Sequence, residues 1–115
     1  MKKFEEDTLA RIGMPSEIVL RHRPPHFGHV FSGGGYASAY YSYMWSEVLD
    51  ADAFAAFKEA GDVFDAPTAK RLREHIYAAG GTRDPEEAYK AFRGRLPTAE
   101  ALLRKRGLLE VTPEA

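Results

Sequence analysis

Two aspartates placed just ahead of prolines, in Asp65-Ala66-Pro67 and Asp84-Pro85-Glu86-Glu87, punctuate the second half of this chain. A carboxylate at a helix entry accepts from backbone amides that have no partner inside the helix, and proline suits the first turn, where no donor is needed. Leu72, Ile76 and nearby alanines recur at helical spacing after the first start until Gly80-Gly81, predicting a helix over about 66–79. After the second come Ala88, Tyr89 and Phe92 before Gly94, with Glu87 placed for a capping box. A third start is read at Thr98, followed by Ala101, Leu102 and Leu103, a basic end and Gly107. A chain stopped and restarted this way folds as a small, mainly α domain with three short carboxyl-terminal helices. Residues 110–115 are expected to form a loose tail.

Composition narrows the class further. The chain has 115 residues, 44% of them hydrophobic and 29% charged, which suits one modest globular core, so 1–115 is read as a single domain. Without cysteine it has neither a disulfide scaffold nor a thiolate metal site, and a cytoplasmic location is expected. The amino end, Met-Lys-Lys-Phe-Glu-Glu-Asp, turns acidic where a secretory signal would be apolar, and no run reaches membrane-spanning length. Sixteen basic residues interleave with seventeen acidic ones for a net charge of −1, so no nucleic-acid footprint is read. Arg21-His22-Arg23 and the basic run from Arg93 to Arg106 are taken as solvated faces and helix ends.

The densest chemistry lies between residues 29 and 43, His-Val-Phe-Ser-Gly-Gly-Gly-Tyr-Ala-Ser-Ala-Tyr-Tyr-Ser-Tyr. Gly33, Gly34 and Gly35 allow positive φ and a close backbone approach to a ligand, and the tyrosines bring hydroxyls on rigid rings. One long central helix is expected from about Tyr36 or Ala37 to Ala60, closed by Gly61. It is apolar on nearly all sides, as in a helix contacted from several directions. On such a helix Tyr36 and Tyr43, seven apart, would project the same way about 10.5 Å apart along the axis, a spacing suited to gripping an extended peptide. Upstream, Thr8 to Gly13 has room for one or two helical turns. Ile18-Val19-Leu20 and residues 26–31 read as extended parts of a Pro- and Gly-rich loop, with a strand allowed at the former.

Three histidines, His22, His26 and His29, stand four and three residues apart, but Pro24-Pro25 breaks the helix that would bring them to one metal. No metal site is assigned. A P-loop is excluded as well, since no lysine follows the glycines and no Gly-x-Gly-x-x-Gly order occurs; a carboxylate at the glycine-rich helix entry remains open.

Phe27-Gly28-His29-Val30-Phe31, Gly33-Gly34-Gly35-Tyr36 and Tyr40 through Asp52 together resemble the carboxyl-terminal catalytic-domain segment of the peptidyl-dipeptidases and thimet-like oligopeptidases. The likeness runs on through Gly80-Gly81, Asp84-Pro85-Glu86, Phe92-Arg93-Gly94-Arg95, Leu102-Leu103 and Arg106-Gly107-Leu108, covering about residues 4–109. It implies a segment of a zinc metallopeptidase that removes carboxyl-terminal dipeptides from short peptides. It also implies that Tyr36 and Tyr43, with His29 carried over less directly, approach the scissile carbonyl and its oxyanion as catalytic contacts. Gly33, Gly34, Gly35 and Tyr40 are the candidate substrate-binding residues. His29 is equally suited to a packed turn, and Tyr40 and Tyr41 to packing.

Such enzymes hold zinc with a His-Glu-x-x-His helix and a downstream glutamate, and no His-Glu pair occurs here. The expectation is a segment that brings no cofactor of its own, the zinc belonging to the intact enzyme, and that is inactive alone. Its uncovered aromatic faces imply either a homo-oligomer or a complementary zinc-bearing chain as partner. The alternative is a helical peptide- or partner-binding module without catalysis.

Overall fold

The computed structural model describes residues 1–109; the expected loose tail lies outside them. The described chain is helical, with no strand among the described residues, and divides into two units, the second beginning at Tyr41.

The first unit, Met1–Tyr40, begins with α1 (Lys2–Arg11), longer than the one or two turns read from Thr8 onward. Gly13, at φ 76°, turns the chain where Met14 N donates to Leu9 O at 3.0 Å. Arg23 reaches back to α1 and pairs with Glu5, Nη2 to Oε2, at 3.0 Å. Ile18-Val19-Leu20 forms irregular backbone with all three side chains exposed, so the strand allowed there is not formed. Residues 26–31 are not extended either. Pro24–His26 is a 3-10 turn and Gly28–Phe31 a single helical turn, α2, because proline supplies a helical φ at the turn's start and the following residues close hydrogen bonds back to Phe27 O and Gly28 O.

The second unit is built around α3 (Ser42–Glu59). It starts several residues later than the sequence reading. Tyr36 to Tyr41 form bends and turns, with Ala39 N donating to Tyr36 O at 3.4 Å, so Tyr36 does not share a helix with Tyr43 and the helical ground for a common projection falls away. Tyrosine and serine are poor helix formers, and only two alanines in this stretch favour the helix. After Gly61 come α4 (Ala66–Leu72), continued by a wider π turn over Arg73–Tyr77, then α5 (Pro85–Arg93) and α6 (Glu100–Lys105).

Both aspartate caps form as read. Asp65 accepts from Thr68 N at 2.8 Å, and Asp84 from Glu86 N at 2.9 Å and Glu87 N at 3.3 Å. Gly94, at φ 81°, closes α5 in the left-handed conformation that glycine alone takes without cost. The Thr98 cap is not formed: α6 is entered through Ala99, with no side chain capping it.

The core forms where Leu49, Ala53 and Ala56 of α3 meet Tyr89 and Phe92 of α5 and Leu72 and Ile76 of the α4–π segment. Tyr89 and Phe92 stack edge to face, centroids 5.9 Å apart. On another side of α3 lies α6, with Leu102 buried, and Lys105 reaches Asp50 at 3.5 Å while Arg106, just beyond α6, pairs with Glu47.

Candidate functional site

In the first unit the short turn α2 and the bends that follow the glycines gather four aromatic side chains. His29 and Tyr36 lie with ring centroids 5.5 Å apart, His29 and Tyr40 5.7 Å, and Tyr36 and Tyr40 6.2 Å, all edge to face. Phe27 closes the group, 4.7 Å from Tyr40 and stacked at 5.4 Å on His22. Edge-to-face contact sets the electropositive rim of one ring against the electron-rich face of another, which fixes the orientation of the rings relative to one another. Three residues proposed from the sequence, His29, Tyr36 and Tyr40, are thus brought together within one unit. Tyr43 belongs to the other, in the first turn of α3.

Gly33, Gly34 and Gly35 connect α2 to this ring group. None of them takes a positive φ, so the conformational reason given for the glycines does not hold; a Cβ added at any of the three would meet nothing within 4 Å. What remains of that reading is a stretch of backbone without side chains beside the aromatic group.

Sequence reasoning missed a second constellation. Asp52, on α3, is only 1% exposed. Removing a carboxylate from water is costly unless donors surround it. Tyr89 Oη donates to its Oδ2 at 2.8 Å, Arg93 Nε to Oδ2 at 3.3 Å, and Arg95 Nη2 to Oδ1 at 2.8 Å. The other Arg93 nitrogens clamp Glu59 in a bidentate pair at 2.7 and 2.5 Å. That clamp holds the Glu59 carboxyl below its ordinary range and raises Arg93 further. Burial, reinforced by the hydrogen bond to Asp52, pushes the Tyr89 phenol up.

Part of the basic run read as solvated is therefore internal: the Arg93 side chain is 8% exposed. The available signal was a single acid, Asp52, within the apolar stretch Ala51 to Phe57. All its donors are already committed to structure, and nothing in the arrangement points to chemistry on a substrate. Nearby, an open cleft between α3 and α6, lined by Asp50, Phe54, Lys58, Arg95 and Arg104, mixes both charge signs and includes none of the proposed contact residues.

Among the described residues no three His, Asp or Glu side chains converge as a metal site, so the zinc that the resemblance implies does not fit this donor set. No helix among these residues is long and apolar enough to cross a membrane.

The pattern of peptidase family M3 matches residues 3–108. Oligopeptidase A of Haemophilus influenzae is 49% identical over 88 residues, 76% of this chain and 13% of that protein. The probable cytosolic oligopeptidase A of Arabidopsis thaliana is 52% identical over 86 residues, 72% of this chain and 12% of that protein. The dipeptidyl carboxypeptidase of Salmonella typhimurium is 37% identical over 108 residues, 92% of this chain and 15% of that protein. The chain thus spans roughly an eighth of the length of the curated relatives it matches. With a family pattern covering both the aromatic group and the helical unit, the chain belongs to peptidase family M3.

Proposed function

We propose that this chain serves as the substrate-side segment of an M3 peptidase, with His29, Tyr36 and Tyr43 contacting the scissile region of a short peptide and Gly33, Gly34, Gly35 and Tyr40 lining its path. The observation that carries this reading is the ring group of His29, Tyr36 and Tyr40, assembled inside the stretch that bears the family likeness. A phenol O–H or an imidazole N–H donates to an oxygen on which negative charge builds during acyl transfer. A donor fixed beforehand stabilises that charge without reorganising. Side-chain-free backbone at the three glycines leaves room for an extended peptide to lie close.

With no His-Glu-x-x-His motif in its sequence, the chain alone is proposed not to hydrolyse peptides, the zinc-holding residues being assigned to the remainder of the enzyme. Removal of carboxyl-terminal dipeptides is supported by the relative named a dipeptidyl carboxypeptidase, and a cytoplasmic location by the relative named a probable cytosolic oligopeptidase. The test is complementation. The chain with zinc and a short peptide should release nothing. Mixed with the part of Haemophilus influenzae oligopeptidase A that lies outside the matched region, it should cleave, and Tyr36→Phe or Tyr43→Phe should each lower kcat by about 10²-fold, the scale of one lost oxyanion donor. Dipeptide release by the chain alone would overturn the reading. Peptide binding that persists in the mixture without cleavage would leave a binding module in its place.

A further inference from the structure

A buried charge network is a poor way to gain stability, because desolvation consumes most of the attraction; its best-attested use is to fix one register among several. Asp52 is held in this manner, and from two directions. Tyr89 and Arg93, on α5, donate to Oδ2 at 2.8 and 3.3 Å, and Arg95, beyond the left-handed Gly94, donates to Oδ1 at 2.8 Å. Arg93 Nε also lies 3.3 Å from Asp52 O, and Tyr89 Oη 3.3 Å from Leu49 O, so the grip extends to the α3 backbone. No buried polar side-chain atom among the described residues lacks a partner.

The apolar contact beside this network is less exacting. α3 enters the core through Leu49, Ala53 and Ala56, and apolar contact is non-directional, the more so where two of the three side chains are single methyl groups. Direction matters at the other end of the helix. Tyr43, in the first turn of α3, precedes Asp52 by nine residues, which places it about 13.5 Å away along the axis and on the opposite side of the helix. A turn of α3 by about 20° sweeps a side chain at a radius of about 5–6 Å through about 2 Å. A misplacement of about 1 Å at a reacting group costs on the order of 10²-fold in rate.

We propose that Asp52 is a positioning residue: clasped by Tyr89, Arg93 and Arg95, it sets the rotation of α3 and so the direction in which Tyr43 offers its phenol. This inference rests on the reading of Tyr43 as a substrate contact and adds what aims it. Hydrophobic packing holds α3 in the core, and the carboxylate selects one of the rotations that packing alone leaves close in energy.

The test removes the charges together. Asp52→Leu, Arg93→Met and Arg95→Met combined strand no buried charge, since Glu59 is more than half exposed, so the triple variant of the full chain should melt at or above the wild-type temperature. Its α3–α5 contacts, read as nuclear Overhauser effects from Leu49 and Ala53, should nonetheless be displaced or doubled where the wild type gives a single set. Mixed with the part of Haemophilus influenzae oligopeptidase A outside the matched region, the triple variant should lose about tenfold in kcat with KM within about twofold. On a Tyr43→Phe background the same three changes should cost less than about twofold, because the group they aim is gone. Unchanged α3–α5 contacts in the triple variant overturn the proposal. So does an equal loss of kcat in both backgrounds, the mark of a merely structural role. If the triple variant does not fold, Arg95→Met, at a half-exposed side chain that leaves both Oδ2 donors in place, decides by the same two readings. A Tyr43→Phe variant that cleaves as the wild type does removes the substrate reading instead, and the α3–α5 contacts then decide the register alone.

Discussion

The second unit holds a buried core and a five-membered network of Asp52, Glu59, Tyr89, Arg93 and Arg95; in the first, none of the described residues is buried, and what order it has comes from α1, ring contacts, two ion pairs and short turns. The residues proposed to meet substrate are mostly in the region that stabilises itself least. The two tasks are separated along the chain: burial of apolar surface at about 25 cal/mol per Å² holds the helices together, whereas edge-to-face ring pairs contribute only about 0.5–1.5 kcal/mol each. Local stability in the first unit is correspondingly at the low end expected of binding segments.

Phe92→Ala bears hardest on this contrast. Phe92 is 2% exposed at the centre of the α3–α5 contact, and a cavity there should cost about 4 kcal/mol in urea unfolding followed by circular dichroism. Arg93→Met should cost about 3 kcal/mol, because it leaves Asp52 buried with fewer donors and releases Glu59. A loss under 1 kcal/mol for either would show that the second unit is not the stabilising half. Asp84→Ala, which removes the α5 cap, should cost about 1 kcal/mol in the same assay. By contrast, His29→Ala, which removes two edge-to-face ring pairs, should cost about 1 kcal/mol of unfolding free energy while lowering cleavage in the complemented enzyme. A large stability loss there would mean that the ring group is structural.

The pH dependence sharpens the same point. Glu59 has a folded pKa below its ordinary 4.5, so its contribution is present above that value and is lost as pH falls through the depressed folded one. Tyr89 is shifted the other way: its contribution is full below the ordinary 10.0 and declines as pH rises past it. Melting temperatures should therefore fall at both ends. Arg93→Met should flatten the acid limb and Tyr89→Phe the alkaline one. Glu59 is more than half exposed, so the acid effect should be the smaller and should shrink further in salt.

How legible all this was depends on distance along the chain. Asp65, Asp84 and Gly94 announce helix ends because a cap acts within three residues and its chemistry is local. The mainly α class followed from those signals. The start of α3 was misplaced because tyrosines at helical spacing look the same to a periodicity argument whether they line a helix or fold onto each other in turns, as Tyr36 and Tyr40 do beside His29. Asp52 and its arginines were illegible for another reason. Partners 41 and 43 residues apart leave no periodic trace, and a run of basic residues reads as solvated until an acid is found opposite it. The aromatic candidates were legible through the family likeness, and their grouping within one unit only through the coordinates.

The open space beside Gly33, Gly34 and Gly35 gives those positions an unusual diagnostic value. Methyl groups introduced there meet no neighbour and strain no backbone, so alanine replacements should fold as readily as the parent, or slightly better through a less floppy denatured chain. Whatever turnover such variants forfeit in a complemented enzyme then measures how tightly an incoming peptide runs past that bare stretch, free of any contribution from folding.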